Sequence, residues 1–399
     1  MLIYAIAHLY KKEKDNMKVE QIYELVNDSL KATIGDTVVL EQDLSNLVDA
    51  GEELLNNNAV DNYVKKLVDR IGKVKFVDRI YRGNAPSVLK DAWEYGSVLQ
   101  KISAEVPDAT VNETWNLVEG EDYSPFTFNP ATASQKFYNS KNTFEIRLSI
   151  PKLQVKESFT SAEQMGGFLA MINTQIDNKL TIATDGLIRS TIAAAIGESI
   201  LSAKATQAVN LAQLFYNATG RVLTVREATT DPEFIRFTAL QLKKTKGRLS
   251  SASKLFNRGE TTKFTYDDRL NVVMLDDFKA AADVYLQSEV FHNEMTALPA
   301  AESIPFWQGT GTDYEIESIS RINVVTPESN QSVEQDGVLA VMFDNEALGV
   351  HNFDRRVESI YNPSNETFNQ FYKQDSGYFI DGNENFVVFY IGDVVESEE

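Results

Sequence analysis

Residues 338–353, VLAVMFDNEALGVHNF, combine an apolar strand pattern with a short polar turn. The run Val338–Phe343 is typical of a buried strand and ends at Asp344-Asn345. The apolar pattern resumes in Glu346–Val350, and His351 follows directly. Because functional groups are often carried where a strand gives way to a loop, the stretch leaves two alternatives, an active site or a structural turn.

Composition excludes several classes of function. The chain has 399 residues, enough for a sizeable core and two or three lobes. It has no cysteine, so disulfides, thiolate catalysis and Cys-ligated zinc are excluded. It has only three histidines, His8, His292 and His351, which argues against a multi-His metal centre. No run of eighteen apolar residues occurs, so no membrane-spanning helix is expected.

The net charge of −20 argues against binding to a phosphate backbone, which needs clustered Lys and Arg. The acidic residues are scattered along the chain, and only Glu396–Glu399 forms a small acidic tail. Like-charged surfaces repel, so this charge suits a protein that stays in solution at high local concentration.

The N-terminal region has the pattern of an arm that needs a partner. MLIYAIAHLY at residues 1–10 is followed by charges, whereas a secretory signal has them before its apolar run. We therefore expect residues 1–16 to be a non-native extension and translation to begin at Met17. The following segment has helical spacing up to Leu30 and then becomes polar. It lacks the apolar content of an independent core.

Residues 97–150 are rich in Thr, Val, Asn, Pro and aromatic residues and show no helical period. A turn lies between two apolar runs in TWNLVEGEDYSPFTFNP, and Thr143–Val155 alternates as a strand does. The pattern predicts a long exposed β-hairpin that reaches another molecule. The residues expected at its tip, and hence in that contact, are Glu119, Gly120, Glu121, Asp122 and Tyr123.

A long helix is predicted next. Thr160 and Ser161 offer capping-box starts, and one apolar face continues to Ile196. We expect about 36 residues, on the order of 50 Å, with a kink at Asp185-Gly186 and an end near Gly197.

The remaining elements alternate between helix and strand. Residues 205–335 have the pattern of a mixed lobe, with a helix starting at Asp231-Pro232-Glu233, a buried strand at Arg269–Leu275, and a helix opened by Asp276-Asp277. Strands are predicted at Val338–Phe343, Arg356–Tyr361 and Phe386–Ile391, with a helix at Glu366–Lys373. These strands are expected to return beside the long helix, which makes the mixed lobe an insertion.

Candidate catalytic groups are few. Gly309-Thr310-Gly311 lacks the third glycine and the helix of a dinucleotide site. The pairs Asp267-Asp268 and Asp276-Asp277 could serve acid–base or divalent-metal chemistry, but are more typical of turns and helix starts.

The histidines and one aromatic segment also have simpler explanations. His292 and His351 have no nucleophile motif nearby. Ile304–Trp307 could form a carbohydrate platform, although a packed corner is the commoner outcome. We predict no catalytic, cofactor-binding or metal site, and hence no enzyme.

The order of elements and three sequence segments carry a resemblance. LVDRIGKVKFV at 67–77, VLAVMFDNEALGV at 338–350 and NPSNETFNQFYK…ENFVVFYI at 362–391 look like parts of phage head proteins. The chain resembles the major capsid proteins of tailed double-stranded-DNA bacteriophages of the Hong Kong 97-type fold. Within this family, its sequence segments most resemble those of short-tailed phages of Gram-positive bacteria. The resemblance covers most of residues 60–395.

The resemblance implies an α+β fold with the following domains: an N-terminal arm (1–75), the start of the peripheral domain (76–96), an extended β-loop (97–150), the peripheral domain with its spine helix (151–204), an axial domain (205–335), and returning strands with an acidic tail (336–399). Copies would form hexamers and pentamers that close into an icosahedral virion shell. The shell would enclose double-stranded DNA without sequence-specific binding.

The implied partners are other copies of the chain, with scaffolding, portal and decoration proteins as further candidates. No membrane is involved, and assembly would take place in the host cytoplasm. Two alternatives stay open at this point: an encapsulin-type nanocompartment with the same fold, and an acidic cytosolic enzyme with Asp276-Asp277 or His351 in its site.

Overall fold

A computed structural model describes residues 27–33, 85–90, 98–104, 119–120, 133–151, 162–287, 298–309 and 313–395. The chain divides into two compact units: Met1–Tyr81, Asn142–Thr184 and Asn352–Ser376 form unit 1, and Arg82–Lys141, Asp185–His351 and Gly377–Glu399 form unit 2. Helices and mostly antiparallel strands confirm the predicted α+β class. In these described ranges, no helix is both long and apolar enough to cross a bilayer.

Helix α1, Ala162–Leu201, is the predicted long helix and has 40 residues. It runs through Asp185-Gly186 without a break, and Asp185 pairs with Arg189 one turn later at 3.1 Å. The predicted end at Gly197 is wrong, because the helix continues to Leu201. A Cβ at Gly197 would lie 2.9 Å from Val324 Cγ2, so the glycine permits close packing on a neighbouring strand.

The sheet of unit 1 is built from β4 (Lys141–Pro151) and the unit 1 parts of β11 (Leu348–Asn362) and β12 (Thr367–Ile380), in the order β11-β12-β4. Thr143 Oγ1 donates to Asp375 at 2.7 Å, and Arg356 Nη1 contacts the same carboxylate at 2.7 Å. Within unit 1, the first part of α1 contacts strand β11, where Arg355 Nη2 donates to Asp177 Oδ1 at 3.3 Å.

The predicted helix at Glu366–Lys373 is wrong, because Glu366 lies in a turn and residues 367–373 belong to strand β12. Along β12 the side chains at 368, 370, 372, 374 and 376 are buried, while those between them are partly exposed. This period of two belongs to a strand, and the sheet partners β11 and β4 impose it.

Unit 2 is organised around a five-stranded sheet of order β5-β13-β10-β6-β7. Its central strand β10, Val338–Asp344, is the predicted buried strand, and all seven of its residues are buried. It pairs antiparallel with β13 (Phe386–Tyr390) and β6 (Leu270–Leu275). The outer strands β5 (Ala208–Asn210) and β7 (Glu302–Ile304) add in parallel to β13 and β6.

Three helices of unit 2 begin with side-chain caps. Helix α2 (Leu211–Thr219) is capped by Asn210, and α3 (Val225–Ala228) by a Thr224–Glu227 capping box. Helix α4 (Pro232–Leu249) starts as predicted, with Asp231 accepting the N–H groups of residues 233 and 234. Helices α5 and α6 are Asp276–Gln287 and Ile316–Ile319.

Three smaller β-elements complete unit 2. The short strand β1, Leu89–Lys90, pairs in parallel with β11 at Val350 and His351. Strands β2 (Leu99–Ala104) and β3 (Ala133–Tyr138) form one antiparallel pair, and β8 (Ile322–Val325) and β9 (Ser332–Gln335) form another.

Candidate inter-subunit surface

The β2–β3 pair lies within the segment predicted to reach another molecule. Its six residue pairs run from Leu99 opposite Tyr138 to Ala104 opposite Ala133. Both strands alternate between partly buried and exposed positions. The hairpin therefore has two distinct faces, as the period of two requires.

One face is anchored to the rest of unit 2 by charge. Lys101 Nζ lies 2.8 Å from Asp381 Oδ2, and Lys136 Nζ lies 3.1 Å from Asp381 Oδ1. Lys101 is also 3.7 Å from Glu384, which pairs with Lys263 at 2.8 Å. One lysine from each strand thus holds the same buried carboxylate.

Burial by itself would raise the pKa of Asp381, but the bonds and charge of Lys101, with further help from Asn383 N–H and Lys136, lower the pKa below its usual value. The carboxylate therefore stays ionised between its two lysines at neutral pH. A buried carboxylate that loses such partners is costly, so the contact favours one placement of the hairpin.

Aromatic packing supports the same face. The ring of Tyr138 lies 5.5 Å from that of Phe379, and Lys101 Nζ sits 5.8 Å from the Phe379 centroid. Burial and the nearby charge of Asp381 raise the pKa of the Tyr138 hydroxyl, which is neutral at physiological pH.

The opposite face is exposed and apolar in its middle. Ile102 is 66% exposed and Phe137 is 62% exposed. In the ladder Ile102 faces Gln135 and Phe137 faces Gln100, so the two apolar side chains are diagonal neighbours on one face. Val98, just before β2, is exposed as well. A rigidly held strand pair thus presents apolar side chains away from its own anchor.

The predicted tip residues are only partly described. Glu119 and Gly120 lie in an exposed turn, with Gly120 at φ 97°, a conformation that favours glycine. Glu121, Asp122 and Tyr123 lie outside the described residues. Sequence reasoning missed Lys101, Ile102, Lys136 and Phe137. The segments QKISA and SQKFY do not alternate regularly between polar and apolar residues, so the sequence carried no clear signal for the two faces.

The turn after β10 is structural. Asp344 is buried and accepts hydrogen bonds from Thr265 Oγ1 at 2.8 Å, Arg269 Nη2 at 3.2 Å and the Glu346 N–H at 3.0 Å. These contacts fix the turn and join it to the segment before β6. Of the two alternatives for residues 338–353, an active site or a structural turn, these contacts favour the structural turn. The Asp344 carboxylate is used in hydrogen bonds that hold the turn in place.

The other candidate groups lie at a helix start or are packed in the interior. Asp276 and Asp277 lie in the first turn of α5, and burial together with the charge of Asp276 raises the pKa of Asp277. His351 is buried and stacks on Phe379 at 5.6 Å. Trp307 is fully buried and donates Nε1–H to Val338 O at 2.8 Å, as expected for a packed corner.

Among the described residues, no group of three or more His, Asp or Glu side chains is arranged to hold a metal ion. Gly309 lies in a turn at φ 102°, while His292 and residues 310–312 fall outside the described part of the chain.

The fold is similar to two solved phage structures. One, "Capsid structure of Staphylococcus phage Andhra", has a TM-score of 0.53 and 11% identity, and the match covers 80% of this chain and 87% of that chain. The other, "Structure of head fiber and inner core protein gp22 of native bacteriophage P68", has a TM-score of 0.53 and 10% identity with the same coverage. No curated protein matches the chain.

A family model covers nearly the whole sequence. The model described as Phi29-like phage major capsid protein matches residues 24–390. That range includes the anchored hairpin, α1 and all strands named above. The encapsulin and enzyme alternatives are not favoured by any of these matches. The chain belongs to the family of Phi29-like phage major capsid proteins, structural proteins of the virion shell.

Proposed function

We propose that copies of this chain assemble as hexamers and pentamers into an icosahedral shell around double-stranded DNA. We propose further that the β2–β3 hairpin carries a contact between neighbouring copies. One observation supports this surface: the hairpin is anchored by Lys101 and Lys136 on one face and leaves Ile102 and Phe137 exposed on the other.

An exposed apolar pair on a fixed strand pair is suited to burial against another protein. Covering Ile102 and Phe137 removes apolar area from water, which stabilises association by about 25 cal/mol per Å² before binding costs are subtracted. The anchor adds to this because a surface that is already ordered loses little conformational entropy when it binds.

The acidic charge fits a container wall. A net charge of −20 repels DNA phosphates, so packed DNA does not adhere strongly to most of the lining. Enclosure without sequence-specific binding then needs no base-reading site.

The test is the double substitution Ile102→Ser with Phe137→Ser in the full chain. The variant should fold with an unchanged melting temperature and yield no closed shells by light scattering and negative-stain imaging. Gln100→Ser with Gln135→Ser changes the same face without removing apolar area and should assemble normally. If the Ile102/Phe137 variant formed closed shells like those of the wild type, the proposed contact would be wrong.

The tip residues Glu119–Tyr123 are a second part of this proposal. Their deletion should leave the subunit folded and impair closure of the shell, because the sequence predicts a long loop here that would reach a neighbouring copy. Normal shells from the deletion would show that the tip is dispensable and leave the hairpin base as the contact.

Several further expectations about this shell protein are also part of the proposal. They are the domain boundaries given above, assembly in the host cytoplasm, partnership with scaffolding, portal and decoration proteins, and a short-tailed phage of a Gram-positive host. A pull-down of the virion shell followed by mass spectrometry would test the partner proteins.

A further inference from the structure

Helix α4 is a basic element in an acidic chain. Among its 18 residues it carries one acidic side chain, Glu233, and five basic side chains: Arg236, Lys243, Lys244, Lys246 and Arg248. Its net charge of +4 contrasts with −20 for the whole chain. The net charge of the whole chain therefore conceals a local cluster of basic residues.

The basic residues share a face with one exposed leucine. The opposite face of α4 is buried through seven residues, among them Phe234, Leu242 and Leu249. The exposed positions Arg236, Leu240, Lys244, Gly247 and Arg248 follow one another at intervals of four, four, three and one residues. Residues spaced by three and four lie on one side of a helix, so these five form a continuous stripe, called here the α4 stripe.

Stabilisation of the helix end explains only part of this charge. Lys246 and Arg248 lie in the last turn, where cations are favourable, and Lys246 pairs with Asp267 at 3.0 Å. Lys244 lies earlier in the helix. In the described part of the chain, no carboxylate pairs with Lys244 or Arg248, and Leu240 is 49% exposed between the basic positions. The stripe thus offers both positive charge and apolar area to something outside the subunit.

Gly247 is a second observation on the same stripe. A Cβ built at this position meets nothing within 4 Å, so packing inside the subunit does not require glycine. Glycine in a helix lowers stability relative to alanine. A glycine on an exposed helix face allows another chain to approach the backbone closely, which fits a covered surface.

We propose that the α4 stripe docks against an acidic surface of a second copy of this chain. The inference rests on the proposed assembly and names one of its contacts. With α4 at +4, the rest of the chain has a net charge of −24, so acidic side chains outnumber basic ones over the remainder of every copy. The stripe of one copy would meet an acidic surface of the next, and such head-to-tail contacts form rings when the rotation between copies closes.

Double-stranded DNA is the less favourable occupant. Leu240 and Gly247 have no role toward a phosphate, whereas both fit the surface of a protein.

The test uses the full chain with Lys244→Glu and Arg248→Glu. The variant should remain folded, with a melting temperature only slightly below that of the wild type because an acidic side chain replaces Arg248 in the last helical turn. It should lose closed shells in light scattering and negative-stain images. Mixed with wild-type subunits, it should reduce wild-type shell yield by more than dilution, because its acidic surface still accepts a wild-type stripe while its own stripe cannot continue the ring.

The matched control is Arg226→Glu with Lys179→Glu, which changes the charge equally at two exposed positions outside the stripe. Shells from the wild type and from this control show that the proposed assembly holds, so a defect in the stripe variant then reports on the stripe alone. Normal shells from the stripe variant would overturn the inference. If the stripe variant also formed normal shells but bound a double-stranded DNA fragment more weakly than the wild type, the occupant of the stripe would be nucleic acid and the inference would be wrong.

Gly247→Ala gives a test without a charge change. It should raise the melting temperature of the unassembled subunit and still slow assembly, since a Cβ would separate the two copies. If Gly247→Ala assembles at the wild-type rate, no chain approaches the stripe closely and the proposed docking is wrong.

Discussion

At the scale of single residues, two of the four glycines of helix α1, Gly186 and Gly197, have opposite surroundings. A Cβ at Gly197 would lie 2.9 Å from Val324 Cγ2 and 3.0 Å from Thr326 Cγ2, whereas a Cβ at Gly186 meets nothing within 4 Å. We expect Gly197→Ala to lower the free energy of unfolding by about 1–3 kcal/mol through overpacking. Gly186→Ala should raise it by roughly 0.5–1 kcal/mol. Urea unfolding of the unassembled subunits measures both, and equal effects would contradict the packing at Gly197.

A buried carboxylate on the same helix makes stability depend on pH. Glu198 accepts from Glu328 N–H at 2.8 Å, Ser329 N–H at 3.0 Å and Ser329 Oγ at 2.7 Å, and pairs with Arg258 at 3.1 Å. Burial alone would raise its pKa, but these hydrogen bonds and the charge of Arg258 lower the pKa below its usual value. The ionised form therefore stabilises the fold above the unfolded pKa of about 4.3, and this stability is lost as pH falls through the lower folded value.

Glu198→Gln should accordingly lower the free energy of unfolding at pH 7 by about 1–3 kcal/mol. The difference from the wild type should shrink as the pH falls below about 4, because the wild type then loses the same charge. Urea unfolding at pH 7, 5 and 3.5 checks this. Glu328→Gln, at an exposed partner of Arg258, should cost less than about 1 kcal/mol at every pH. A pH-independent difference for Glu198→Gln would contradict the role of its charge.

At the scale of elements, the β2–β3 hairpin depends on one carboxylate of a distant strand end. Asp381→Asn leaves Lys101 and Lys136 without their shared charge, so the hairpin should open more often. We expect amide hydrogen exchange in residues 99–104 and 133–138 to speed up by roughly tenfold or more, the equivalent of about 1.4 kcal/mol. Glu346→Gln removes a more exposed carboxylate 4.0 Å from Lys101 and should leave exchange nearly unchanged. Equal protection in the two variants would show that packing on Phe379 alone holds the hairpin.

The same elements show what local sequence can predict. Helix α1 is predictable because its apolar residues follow one helical period over many turns. Strand β10 is predictable because a short continuous apolar run ends at the polar pair Asp344-Asn345. Strand β12 was mistaken for a helix because Phe368, Phe371 and Tyr372 also fit helical spacing, and only the neighbouring strands decide between the periods. The hairpin anchor could not be predicted, because Lys101 and Asp381 are 280 residues apart and the sequence around either residue gives no sign that they pair.

At the scale of the whole molecule, assembly brings together copies that each carry a net charge of −20. Their repulsion acts over long distances, while the proposed contact of the α4 stripe acts between closely opposed groups. The Debye length is about 30 Å at 0.01 M salt, 10 Å at 0.1 M and 3 Å at 1 M. Moderate salt should therefore screen the repulsion first, and high salt should weaken the close contacts as well.

We expect the rate of wild-type shell formation, followed by light scattering, to rise between 0.01 M and 0.1 M NaCl and to fall again towards 1 M. A variant with Lys244→Gln and Arg248→Gln lacks the close attraction, so its slower assembly should rise with salt and show no fall at 1 M. The apolar contact of Ile102 and Phe137 does not weaken with salt and is common to both proteins, which makes the difference between their curves specific to the stripe. Parallel salt curves for the two proteins would show that assembly depends on net charge and apolar contact without the α4 stripe.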